Sequence, residues 1–144
     1  MRSQTESNHA PGLLADQPNP WLYRAVGLSA GAGLIHLMVA PQHFEEWIGY
    51  GLFFLGAAGV QLGYALLLAW KPNRKVLLAG IIGNGLIIGL YLITRTVGIP
   101  FFGPEAGEVE PIGTLDVISK IVEVALIFSL AMLLRTQPAP RGAI

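Results

Sequence analysis

Four apolar stretches of membrane-crossing length dominate this chain: about Leu22 to Ala40, Trp47 to Trp70, Val76 to Val97 and Ile112 to Leu134. An α-helix needs roughly 20 apolar residues to traverse the hydrocarbon core of a bilayer. The runs are continuously apolar and show no alternation with a period of two, which argues against barrel strands. Inside lipid each backbone N–H and C=O must be satisfied within its own segment, so the runs are expected to be helical. The expected fold is all-α, a four-helix transmembrane bundle. Only 12% of residues are charged, against about 25% in soluble domains, and the expected solvent is therefore a lipid bilayer.

The spans divide the chain into three parts. Residues 1–21 are polar, contain Pro11, Pro18 and Pro20, and read as a disordered cytoplasmic tail. Residues 22–134 form the transmembrane domain, and residues 135–144, with Pro138 and Pro140, a short cytoplasmic tail. The first segment is too long, too mixed in charge and too rich in proline for a signal-peptide n-region, so the first span is expected to remain as an uncleaved anchor.

Orientation follows from the basic residues. Lys71, Arg74 and Lys75 lie in the turn between the second and third spans, Arg24 at the start of the first and Arg135 at the end of the fourth. All fall on one side of two antiparallel hairpins. The opposite loops, Pro41 to Glu46 and Gly98 to Pro111, contain no Lys or Arg. Both termini are therefore expected in the cytoplasm of a plasma membrane, with both acidic loops external. Nine basic residues cancel nine acidic ones, which leaves no footprint for nucleic acid. The absence of cysteine excludes disulfides, thiolate metal sites and thiol nucleophiles.

Polar groups within a span are costly and face the bundle interior or a water-filled cavity. In the fourth span Asp116, Lys120 and Glu123, with Ser119 beside them, share one helix face. Asn84, Tyr91 and Arg95 share a face of the third, and Tyr50, Phe54, Gln61 and Tyr64 a face of the second. Ser29 and His36 lie seven apart in the first; His43 would extend that stripe only if the helix ran through Pro41. The residue before a proline is biased away from the α region, so the helix is expected to stop there. Gln61, Asn84 and Glu123 fall at similar depth near the midplane, and His36, Tyr91, Arg95, Asp116 and Lys120 in the outer half. The inner halves are almost wholly apolar. If the faces converge, the eight side chains line a polar cleft, open or closed, that ends on Glu123. A carboxylate at that depth needs a partner, and Lys120 or Arg95 is the expected one. The same set also fits a purely structural ion-pair network, with Gln61 and Asn84 as interhelical hydrogen bonds.

Three Gly-x-x-x-Gly pairs, Gly27/Gly31, Gly59/Gly63 and Gly85/Gly89, allow close helix approach and serve internal packing or dimerisation alike. A homo-oligomer and a larger membrane complex are the partner classes considered. At the outer rim His43 and Glu46, three apart, would share a helix face, and imidazole with carboxylate suits a divalent metal. Glu45 and Glu46 at a helix start also complement the helix dipole with no metal at all. Pro111 reads as a first helical residue after Glu110 as cap. In the loop before it, Phe101 and Phe102 are placed to cover the bundle or to anchor at the interface. Bis-histidine haem is disfavoured because His36 and His43 belong to one hairpin. No Ser-His-Asp pattern or phosphate-binding glycine loop is present, so no catalytic residue is assigned.

The stretch Ala40-Pro-Gln-His-Phe-Glu-Glu-Trp47, followed by Gly51 and Phe53-Phe54, and the loop that opens Thr94-Arg-Thr-Val-Gly98 and closes Glu108-Val-Glu-Pro111 resemble small four-span bacterial membrane proteins of no established activity. The resemblance covers roughly Leu22 to Leu134 and implies a bacterial inner-membrane protein. The leading expectation for function is an integral membrane protein, not an enzyme, whose externally accessible cleft binds or helps move a cation, proton or small polar solute. A structural or accessory subunit held by its buried charges is the first alternative. A membrane enzyme acting at the external rim is the second.

Overall fold

A computed structural model describes residues 19–137. It contains four helices, α1 (Pro20–Glu46), α2 (Ile48–Trp70), α3 (Arg74–Thr96) and α4 (Thr114–Thr136), and no strand among the described residues. Each is long and apolar enough to cross a membrane. The chain is an all-α, multi-pass membrane protein built as a four-helix bundle. The expected tails lie largely outside the described residues. Within them, α1 starts two residues before the expected boundary and α4 extends to Thr136.

Local chemistry sets the helix ends. Asn19 caps α1 by accepting from Trp21 N, with Pro20 in the first turn, where a missing N–H costs nothing. Asn73 caps α3 through Lys75 N and Val76 N. Gly98, at φ 72°, closes α3 in the left-handed region, its N–H reaching back to Ile93 O. Two expectations fail here. Glu110 is not the cap of α4 and Pro111 is not helical: Gly113 takes the cap position and donates its N–H to Asp116. Glu110 is instead drawn to Arg95.

The expected break at Pro41 is also overturned, since α1 runs through it to Glu46. Proline removes one backbone donor and costs about 3 kcal/mol in a helix interior, but membrane helices tolerate it when neighbours compensate. Packing beyond Pro41 supplies that compensation. The His43 ring stacks on Phe54, centroids 3.9 Å apart and planes within 5°. The Phe44 ring fills the space over Gly51, where no side chain competes with it. Tertiary contact thus outweighs the local bias, and Ser29, His36 and His43 lie on one continuous helical stripe.

α1 packs along α2 and α4, and α3 along α4, whereas α2 and α3 meet only sparsely. The chain goes up, down, up and down around the bundle, with α1 opposite α3 and α2 opposite α4. Asn19 Nδ2 donates to Thr136 Oγ1, and Gln137 Nε2 to Pro72 O. These bonds gather both ends of the transmembrane domain and the α2–α3 turn at one end of the bundle, the terminal end. The α1–α2 and α3–α4 connections form the other, the loop end.

The α1–α2 seam is the tightest. A Cβ on Gly33 would stand 2.8 Å from Leu62 Cγ and 3.1 Å from Ala58 O. Ser29 Oγ donates to Gln61 O across the same seam. None of the three Gly-x-x-x-Gly pairs takes part in internal packing: an added Cβ on any of those six glycines would meet nothing within 4 Å. α2 and α3 are held apart by side chains, with Tyr64 lying against Gly80 and donating to Val76 O at 3.0 Å. The terminal half is filled by Ala25, Leu68, Leu77, Leu126, Leu130 and Leu133. Leu52, Val60, Ile82, Leu86, Ile121 and Phe128 point outward, as lipid-facing residues do.

Candidate functional site

Most polar residues of the four faces collect between the middle and the loop end of the bundle, in two groups, while Ser29 and Tyr64 lie nearer the terminal end. The inner group centres on Glu123, which is 0% exposed and lies nine residues into α4, about 13 Å along the helix. Its Oε1 accepts from His36 Nε2 at 3.0 Å, Ser119 Oγ at 3.2 Å and Gln61 Nε2 at 3.5 Å. Its Oε2 accepts from Lys120 Nζ at 2.5 Å. Gln61 Nε2 also donates to Asn84 Oδ1 at 3.3 Å, and Asn84 Nδ2 to Gly80 O at 2.8 Å. One carboxylate therefore draws groups from α1, α2 and α4, and Gln61 links it onward to α3. The bond from Gln61 to Glu123 spans the diagonal of the bundle, so side chains occupy its axis.

The protonation pattern follows from the donors. Ser119, Gln61 and Lys120 all present hydrogens to Glu123, so Glu123 is a carboxylate and His36 Nε2 carries the hydrogen it shares with Oε1. His36 Nδ1 and Gln61 Oε1 are both buried without a protein partner. Most buried polar atoms find one.

The outer group centres on Arg95, which reaches Asp116 Oδ2 at 2.7 Å with one terminal nitrogen and Glu110 with the other. The Arg95 guanidinium and the Lys120 ammonium lie 5.0 and 5.5 Å from the centroid of the Tyr91 ring. Tyr91 thus joins the two groups. The loop after α3 folds back over them through Gly107 N to Ile99 O and Glu110 N to Thr94 O. Phe102 packs edge-on to Trp47 and accepts from Tyr50 OH through its carbonyl, while Phe101 is exposed.

All eight cleft residues expected from the sequence fall in these two groups. Of the two partners expected for Glu123, Lys120 reaches it, and Arg95 does not because both its acids lie nearer the loop end. The partner that sequence reasoning missed is His36. Its spacing of seven from Ser29 placed it on an inward face, but nothing in the sequence rotates that face toward α4. The interior is packed shut, with His36, Gln61 and Asn84 exposed by 4%, 3% and 4%. At the rim, His43 Nδ1 lies 2.7 Å from Glu46 Oε2, and no cluster of three or more His, Cys, Asp or Glu suited to a metal occurs among the described residues. Two open grooves beside α4 are largely apolar. One runs past Trp21, Gly27 and Phe128, the other past Tyr91, Ile121 and Phe128.

No protein-family model matches this chain, and neither a curated protein nor a solved structure shows significant similarity to it. Function must therefore be argued from the site itself.

Proposed function

We propose that this protein takes up a proton, from the external side of a bacterial plasma membrane, onto the buried centre formed by Glu123, His36 and Lys120. One observation carries the reading: His36 shares a hydrogen with Glu123 through Nε2 and keeps its Nδ1 buried without a partner, a proton-accepting position that a structural ion pair does not require. Lys120 alone would balance the charge, yet Ser119, Gln61 and His36 converge on the opposite oxygen. The interior is filled by side chains, which favours a proton over a solute. The terminal half buries no charged side chain, so the reading is one-sided binding and not conduction. Arg24, Lys71, Arg74, Lys75 and Arg135 gather at the terminal end, and the positive-inside rule makes that end cytoplasmic. Single cysteines at Asn73 and Gly107 should label from opposite sides of intact cells.

The central test is infrared spectroscopy of the full chain in liposomes, with carbon-13 in its glutamates. The expected result is a protonated-carboxyl band that grows as pH falls and is absent from a Glu123→Gln variant that still folds. A second outcome would establish the structural reading instead: Glu123→Gln strongly destabilised, with stability restored by adding Lys120→Met.

A further inference from the structure

The buried centre lies about 13 Å along α4 from its loop end, and one aromatic ring touches both the centre and the rim. Because α1 continues through Pro41, His36 and His43 lie seven residues apart on one stripe and meet the same residue of α2. Phe54 stacks on His43 with centroids 3.9 Å apart and lies 5.7 Å from the His36 ring, tilted by 48°. His43 on the outer side of that ring is partly exposed, and His36 on the inner side is buried. His36 binds Glu123 through Nε2, while its Nδ1 is buried and has no partner. An imidazole with one nitrogen hydrogen-bonded to the acceptor and the other unoccupied can pass a proton through its ring.

We propose that His36 is the relay by which protons reach Glu123, and that Phe54 is the gate controlling access to it; this rests on the proton-uptake reading above. A proton from water on the rim side forms a bond to Nδ1 and gives an imidazolium. The Nε2–H bond then breaks as its proton passes to Glu123 Oε1. The products are a neutral carboxylic acid and the other imidazole tautomer, and release retraces the two steps. One proton enters and one is bound, with no other reactant. The groups facing His36 are Glu123 and Lys120 from α4, with Ser119 beside them, and the uncharged Gln61 and Phe54 from α2. On its own helix the nearest titratable group is His43, beyond Phe54; the α3 backbone is not packed against α1. Arg95, Asp116 and Glu110 reach the centre only by way of Tyr91 and Lys120.

The experiment follows the rate at which the Glu123 carboxyl band appears after a downward pH jump, in liposomes containing the full chain. Phe54→Ala should speed it by about tenfold or more, with Phe54→Val intermediate and Phe54→Leu close to the unsubstituted protein. If Phe54→Ala fails to fold, the Val and Leu variants carry the comparison. His36→Asn retains an amide donor for Glu123 but cannot relay. It should slow the band by about tenfold or more, both alone and when combined with Phe54→Ala, without changing the final amplitude. Equal rates across the Phe54 series would overturn the gate, and a His36→Asn rate equal to that of the unsubstituted protein would overturn the relay. In either case a band that still depends on Glu123 leaves proton uptake standing. Absence of the band in every variant removes both.

Discussion

The two halves of the bundle are held together by different physics. The terminal half is a dry core of leucine and alanine in which no charged side chain is buried. The loop half holds two acids, Asp116 and Glu123, paired with two bases, Arg95 and Lys120, together with buried amides and the buried His36. In lipid the first kind of packing rests on van der Waals fit. The second rests on mutual satisfaction of polar groups, each of which is costly if left alone. The terminal half is thus indifferent to proton concentration, whereas the loop half couples its packing to charge. On the proposed reading, a small bundle keeps a fixed scaffold and a responsive site on the same four helices.

Breaking one partner of the buried charge pair should produce the largest effect. Lys120→Met leaves Glu123 with no permanent cation, and loss of one member of a buried pair costs about 3–5 kcal/mol. Glu123→Gln should cost much less, since Lys120 stands at the groove edge beside Tyr91 and can turn its ammonium outward. Reversible unfolding in detergent measures both. Equal losses would mean that the two halves differ in chemistry but not in responsiveness.

Next in size are cavities in the dry half. Leu126→Ala and Leu130→Ala should each cost about 2–5 kcal/mol, by the same amount at every pH where the protein is folded. A loss that varies with pH would show that the halves are coupled. The close seam gives a smaller effect. Gly33→Leu must displace Leu62 and the Ala58 carbonyl, an overpacking worth about 1–3 kcal/mol. Gly59→Leu faces open space and should stay within about 0.5 kcal/mol. A large loss at Gly59 accompanied by a change in oligomeric state would assign that face to a second copy. Among the variants expected to lose stability the mildest is Tyr64→Phe, which deletes the hydrogen bond to Val76 O and should cost about 1 kcal/mol.

Much of this was legible from residue order. Continuous apolar runs located all four helices, because a bilayer leaves a backbone segment no other way to satisfy its polar groups. Helical spacing put Asp116, Lys120 and Glu123 on one face, and the structure keeps them there. Local patterns were less reliable where a distant residue competed. Pro41 marked a helix end by its own chemistry, and the stack of His43 on Phe54 overrode it. Glu110 had the position of a cap, and Arg95 claimed it. The Gly-x-x-x-Gly pairs promised close contacts, which Gly33 makes instead, because the spacing shows that two glycines share a face without showing where that face points.

The sequence by itself determined the solvent, the number of spans, the faces on which the polar groups lie and the segregation of charge toward one end. These depend on hydrophobicity and on about 100° of rotation per residue, both properties of a single helix. Only the tertiary structure decided that His36 meets Glu123, that Arg95 is committed to Asp116 and Glu110, and that Phe54 stands between the two histidines. Those contacts depend on how each helix is rotated and how far it is shifted against its neighbours. Side-chain packing at Gly33, Gly51 and Gly80 fixes that choice, and no spacing within one segment encodes it.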